Sequence, residues 1–294
     1  MCDFPEADMA RCHVCFRHCE LKEGQIGFCG GRIGLSDKVV ASNYGKITSL
    51  ALDPIEKKPL NHFFPGKKIL SVGSYGCNLR CPFCQNSEIS WGEEALRFSE
   101  TADTVTPELL VRIAEKYRPE GNIGVAFTYN EPLIGYEFVR DTGRLAHERG
   151  LKNVLVTNGT AELSVLDEIG PYIDAMNIDL KGFTARYYNE FLGGSFEMTK
   201  RFIEEAVKIC HVELTTLIIP GENDSPLEMR ELSSWVSELK GADGSVIGPD
   251  IPLHISRFFP RFHLTDRNAT SVKDVYALAE LAREKLQFVY TGNC

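Results

Sequence analysis

From Lys68 onward, short apolar runs alternate with longer stretches in which apolar positions recur every three or four residues. The runs are Ile69-Leu70-Ser71-Val72, Ile123-Gly124-Val125-Ala126-Phe127, Val154-Leu155-Val156-Thr157, Met176-Asn177-Ile178-Asp179, residues 212–219, Leu253-His254-Ile255 and Phe288-Val289-Tyr290. Their length and β-branched content predict buried strands. The stretches at 107–118, 133–149, 162–170, 197–209, 226–239 and 271–286 carry helical periodicity. Two of these open on strong start signals, Thr106-Pro107 and the capping-box pattern Ser225-Pro226-Leu227-Glu228. Strand and helix alternating about six times predict an α/β fold, a parallel sheet closed or partly closed into a barrel.

Residues 1–65 have a different texture, rich in Cys, Gly and Pro and poor in periodic segments. They predict a small cysteine-rich, metal-stapled unit ahead of a barrel over 66–294. The whole chain, with 294 residues, 43% hydrophobic and 25% charged, has the profile of a globular protein and not of a disordered or fibrous one. A net charge of -9 argues against extended nucleic-acid contacts. No apolar run approaches the roughly 18 residues of a membrane span, and the N-terminus lacks a secretory pattern, so a cytoplasmic protein is expected. In a reducing compartment ten cysteines predict metal or redox use, not a disulfide framework.

In parallel barrels and sheets the active site forms at the C-terminal ends of the strands. Cys77, Cys81 and Cys84 follow the first run, Thr128-Tyr129-Asn130-Glu131-Pro132 the second, and Asn158-Gly159 the third. Asp179-Leu180-Lys181-Gly182 ends the fourth, and His254 lies in the sixth. The C-x3-C-x2-C loop can hold three irons of a [4Fe–4S] cluster and leave the fourth iron open. A zinc site would need a fourth ligand, for which His62 is the nearest candidate in sequence. Taken singly, Asn130-Glu131-Pro132 reads as a turn, Asp179 and Lys181 as a surface pair, and His254 as a structural histidine. Their joint appearance at successive strand ends favours a site.

The C-x3-C-x2-C loop with Phe83, Asn130-Glu131-Pro132 in place of a Gly-Gly-Glu-Pro turn, and the Asp179-Leu180-Lys181 strand end resemble the radical S-adenosylmethionine superfamily. The similarity covers roughly 69–260 and is to its glycyl-radical-enzyme activases of the pyruvate formate-lyase-activating type. Cys12-x2-Cys15-x3-Cys19-x9-Cys29 with Arg32, and Asp53 through Phe63, are similar to the AmmeMemoRadiSam-system branch. The resemblance implies a partial (β/α)6-type TIM barrel, a [4Fe–4S] cluster on Cys77, Cys81 and Cys84, and S-adenosylmethionine bound to it. It implies oxygen-sensitive chemistry, in which a 5′-deoxyadenosyl radical abstracts hydrogen and a flavodoxin or ferredoxin supplies the electron. It further implies that Phe83, Gln85, Asn130, Glu131, Asn158, Asp179, Leu180, Lys181 and His254 surround the S-adenosylmethionine. Val156 stands where related activases often place an aspartate proposed to help bind a monovalent cation. That puts the cation site in doubt. Members of the branch commonly continue into a Cys-Pro-x-Cys tail, whereas this chain stops at Cys294.

Cys12, Cys15, Cys19 and Cys29 meet the ligand count of a second metal site, zinc or iron–sulfur, and their spacing matches neither a common zinc finger nor the ferredoxin run. Cys210 reads as core, and Cys2 and Cys294 carry no assignment. The leading function is hydrogen abstraction from a glycine of a protein partner, a glycyl radical enzyme. The alternative is radical modification of another protein or a small metabolite in a system with Memo-type or AMMECR-type partners. A non-catalytic iron–sulfur electron relay ranks below both, because a relay needs no cofactor cradle.

Overall fold

The computed structural model describes residues 9–294; Cys2 lies outside them. Eight strands form one sheet: β1 (Ser49–Pro54), β2 (Lys68–Gly73), β3 (Asn122–Phe127), β4 (Lys152–Thr157), β5 (Ala175–Asp179), β6 (His211–Ile218), β7 (Leu253–Arg257) and β8 (Val289–Gly292). Their spatial order follows chain order from one edge to the other. From β2 to β8 every pairing is parallel, and β1 runs antiparallel to β2. No ladder joins β1 to β8 among the described residues, so the barrel is partial.

Alternation along the strands sorts the two faces. Leu70, Val72, Val125, Phe127, Leu155, Met176, Ile178, Leu214 and Ile255 pack outward in the large core shared with the helices. Ile69, Ala126, Val154 and Ala175 point inward, where they meet Ile55, Leu60 and Phe63. The helices of the outer layer are Pro107–Lys116, Tyr136–Glu148, Leu163–Ile169, Phe196–Ala206, Pro226–Ser237 and Val272–Arg283. The expected caps form: Thr106 accepts from the Leu109 amide and Ser225 from the Glu228 amide.

Residues 49–65, grouped on sequence with the cysteine-rich segment, belong to the sheet edge and its floor. β1 pairs with β2 along its whole length, and the segment after it crosses beneath the barrel. His62 reaches the far edge, where its Nε2 lies 2.7 Å from the Tyr290 hydroxyl and its ring packs on Phe288. The floor is anchored on Glu213, whose fully buried carboxylate accepts from the amides of Asn61 (2.9 Å) and His62 (2.7 Å). Among the described residues no helix is long and apolar enough to cross a membrane.

Candidate active site at the C-terminal ends of the strands

The loop after β2 carries Cys77, Cys81 and Cys84, and its path is fixed by its neighbours. Gly76 sits at φ +90, and a Cβ there would fall 2.5 Å from the Cys29 carbonyl oxygen, so only glycine fits. The Asn130 side chain clasps the loop, accepting from the Ser74 amide at 3.0 Å and donating to the carbonyls of Tyr75 and Gly76 at 3.2 Å. Cys77 Sγ receives the Leu79 amide at 3.4 Å and Asn158 Nδ2 at 3.7 Å. Donors to a cluster sulfur raise the cluster's reduction potential. Asn158→Ala is therefore expected to shift the potential of a cluster on this loop to more negative values and to slow turnover roughly 10–100-fold; an unchanged potential by spectroscopic titration contradicts this.

Burial pushes the Cys77 thiol well above its usual range, with Glu131 and Cys81 adding to the rise. Burial likewise raises Cys81, to about 12, with Lys181 opposing and Cys84 and Asp179 adding. Such thiols keep their protons until a metal centre displaces them.

Glu131 braces the ends of β3 and β4. It accepts from Thr157 Oγ1 (2.6 Å), the Leu133 amide (3.0 Å) and the Asn158 amide (2.8 Å), while burial lifts its carboxyl to about 7. Its side chain thus shapes the backbone of the site. Asp179 and Lys181 alternate inward at the end of β5 and pair at 2.8 Å. Burial lowers the Lys181 ammonium's affinity for its proton, but Asp179 and Cys81 outweigh it and the net shift is upward. Leu180, between them, packs in the outer core, and its carbonyl accepts the Thr216 hydroxyl at 2.7 Å.

Phe83 joins a buried aromatic group with Tyr187, Tyr188, Phe196 and Phe258, against which Cys81 and Phe191 pack. Tyr187 lies in a π-helical turn over Tyr187–Phe191, an irregularity frequent at functional sites. Its hydroxyl is buried and without a partner among the described residues. An orphaned donor beside Cys81 and Phe83, three cysteines on one loop and the Asp179–Lys181 pair fit a three-thiolate cluster with a polar ligand on its open side. Gln85 is exposed. His254 lies deeper in the barrel, with Nε2 at 2.7 Å from Glu213 and its ring stacked on Tyr290.

Sequence reasoning missed two groups. Glu213, fully buried, gathers His254, His211 and two floor amides; its signal was the one carboxylate in a strand of apolar residues, threonines and a histidine. Asp53, Lys58, Ser71 and Tyr129 form the other, with the Asp53 carboxylate 2.9 Å from each of the three partners. Although burial opposes it, Lys58, Ser71 and Tyr129 hold the Asp53 carboxyl far below the usual range.

The four N-terminal cysteines come together beside this loop and line one cavity. Among the described residues no three His, Cys, Asp or Glu side chains approach closely enough to share a single metal ion.

The family model of the radical SAM superfamily matches residues 71–232. An uncharacterised protein of Methanocaldococcus jannaschii is 39% identical over 286 residues, 96% of this chain and 81% of that protein. The pyruvate formate-lyase 1-activating enzyme of Escherichia coli K12 is 27% identical over 170 residues, 56% of this chain and 66% of the enzyme. Among solved structures, Streptococcus suis SuiB bound to S-adenosylmethionine superposes with a TM-score of 0.56 at 15% identity, over 75% of this chain and 48% of SuiB. QueE from Escherichia coli superposes with a TM-score of 0.52 at 13% identity, over 85% of this chain and 93% of QueE.

Proposed function

The chain belongs to the radical SAM superfamily, and from that premise we propose that it removes a hydrogen atom from a glycine of a protein partner, as an activating enzyme. Cys77, Cys81 and Cys84 would hold the [4Fe–4S] cluster. With S-adenosylmethionine bound, that cluster supplies one-electron reductive cleavage to a 5′-deoxyadenosyl radical, the agent of hydrogen abstraction.

The observation that carries the reading is the setting of the cysteine loop. Around it stand the Asp179–Lys181 pair, the Glu131-braced ends of β3 and β4, and an aromatic wall containing Phe83. An electron relay has no use for such a cradle. Asp179 and Lys181 offer both charges at one strand end, suited to the amino and carboxylate groups of an amino-acid moiety. The aromatic wall excludes water from the side where Cys81 packs. Similarity to the Escherichia coli activating enzyme supports a protein as substrate. The sheet is not closed between β1 and β8 among the described residues, and such a partly open barrel suits a polypeptide loop as substrate.

Anaerobically reconstituted protein with dithionite and S-adenosylmethionine is expected to release 5′-deoxyadenosine, and incubation with a glycyl radical enzyme to give a protein radical by electron paramagnetic resonance. Deoxyadenosine without a partner radical would redirect the proposal to another protein or a small metabolite in a Memo/AMMECR-type system. An intact cluster that yields no deoxyadenosine sinks the radical reading itself.

A further inference from the structure

We infer that the N-terminal cavity is a second iron–sulfur site, ligated by Cys12, Cys15, Cys19 and Cys29 and placed to exchange one electron with the cluster on Cys77, Cys81 and Cys84. The local fold assembles the four thiols. A short ladder pairs Ala10–Arg11 with Glu20–Leu21, and the Cys12 amide donates to the Cys19 carbonyl at 2.8 Å. His18, at φ 39, turns the chain between Cys15 and Cys19 and donates its amide to the Cys15 carbonyl. A second turn, closed by the Gly30 amide on the Gly27 carbonyl, brings in Cys29. Cys12, Cys15 and Cys29 are buried, and all four line one cavity with Arg17, Arg32 and Ile134.

The cavity asks for an acceptor. Arg32 is 5% exposed. Its Nη1 binds both Glu137 carboxylate oxygens and the Ile134 carbonyl, and its Nη2 binds the Val39 carbonyl. Its Nε–H is buried with no partner among the described residues, although the side chain lines the cavity. A buried guanidinium N–H left unmade costs free energy unless an acceptor fills the space. Four thiolates around a tetrahedral zinc, with bonds of about 2.3 Å, would stand roughly 4 Å apart. No group that tight exists among the described residues, and the thiols instead surround a space. A four-iron cluster takes four thiolates held farther apart than zinc's and presents sulfur to a neighbouring N–H.

The two cysteine loops touch. The Cys77 amide donates to the Cys29 carbonyl at 3.0 Å, and Gly76 has no room for a side chain because Cys29 and Gly31 press against it. Arg17, on the cavity wall, donates through Nε to the Asn78 carbonyl at 3.0 Å. Arg17 and Arg80 both stand over the Phe28 ring, at 3.3 and 3.9 Å from its centre, and supply positive charge between two anionic centres. A reduced flavodoxin- or ferredoxin-class protein gives one electron to the N-terminal cluster, which returns to its oxidised state by reducing the other cluster by one electron. This electron role rests on the radical reading above, whereas the cluster itself does not.

Iron and zinc are measured on anaerobically reconstituted wild type, on Cys77→Ser/Cys81→Ser/Cys84→Ser and on Cys12→Ser/Cys15→Ser. About eight irons are expected in wild type and about four in each variant, and the signal of the triple variant should be unaffected by S-adenosylmethionine. About four irons with one zinc in wild type, or four irons with Cys12, Cys15, Cys19 and Cys29 open to alkylation, overturns the site without recourse to variants. The Cys12/Cys15 variant should make deoxyadenosine with dithionite and lose at least about tenfold in rate with reduced flavodoxin. A flavodoxin-driven rate within about twofold of wild type overturns the electron role. Two clusters in a wild type that makes no deoxyadenosine would leave this site standing while the radical reading falls.

Discussion

Cys81→Ala is expected to reduce 5′-deoxyadenosine formation to background while the fold survives. The loss should exceed the roughly 10–100-fold that follows removal of a group merely supporting a metal ligand, because the ligand itself goes. Cys81 is the clean position. Cys77 Sγ receives the Leu79 amide and the Asn158 side chain, so its removal also frees polar groups. Cys81 packs against the aromatic group at Phe83 and Tyr187, where alanine leaves a small gap and no unmet donor. Far-ultraviolet circular dichroism and the iron count report the two halves of the expectation separately: an unaltered fold, and loss of one cluster with the N-terminal one retained. A variant that still binds its full iron and makes deoxyadenosine at the wild-type rate would remove the loop from the chemistry.

The largest effect on stability is expected at Glu213. Burial raises its carboxyl, but donation from His211, His254 and the amides of His62 and Asn61 outweighs that and holds it at about 2, against 4.5 for the free group. A lowered folded-state value contributes stability that is fully present above the unfolded value and is lost as pH falls toward the folded one. Wild type should therefore lose roughly 3 kcal/mol between about pH 5 and pH 2 from this group alone. Glu213→Gln keeps the shape but turns an amide donor toward groups that already donate, and should cost about 3–5 kcal/mol near neutral pH. Anaerobic urea unfolding at pH 7 and pH 3 measures both quantities. If the variant matches wild type at pH 7, the floor of the barrel is held by something else.

These expectations differ in how far the sequence could have yielded them. The three cysteines of the β2 loop are close in sequence, so spacing alone reveals them, and the strands of the barrel announce themselves as apolar runs of the right length. The floor network draws Asn61 and His62 to Glu213 across 152 and 151 residues, a separation no local period encodes. His254 reads in sequence as a candidate cofactor contact, but its partner lies 41 residues back on the neighbouring strand. At Asp179-Leu180-Lys181 the alternation of a strand already separates the inward pair from the outward Leu180. Asn130 belongs to a legible turn, yet its clasp on Ser74–Gly76 depends on two strand ends lying side by side. The role of Arg32 is invisible until Glu137 and the cysteine cavity are placed around it.

The contact between His62 and Tyr290 joins residues 228 apart in sequence. A chain emerging from the ribosome N-terminal end first can pair β1 with β2 and add parallel strands in order, each beside the last. The floor, however, stays unfastened at its far side until the final strand has been made. High contact order of this kind slows closure. It also leaves an interval in which both sets of cysteines already exist in a barrel that is still open. Cluster insertion before that last strand docks would find the loops accessible; afterwards it must proceed through a finished shell. A chain lacking β8 should consequently take up iron readily but hold its floor loosely, with faster amide exchange at Asn61 and His62 than in the complete protein.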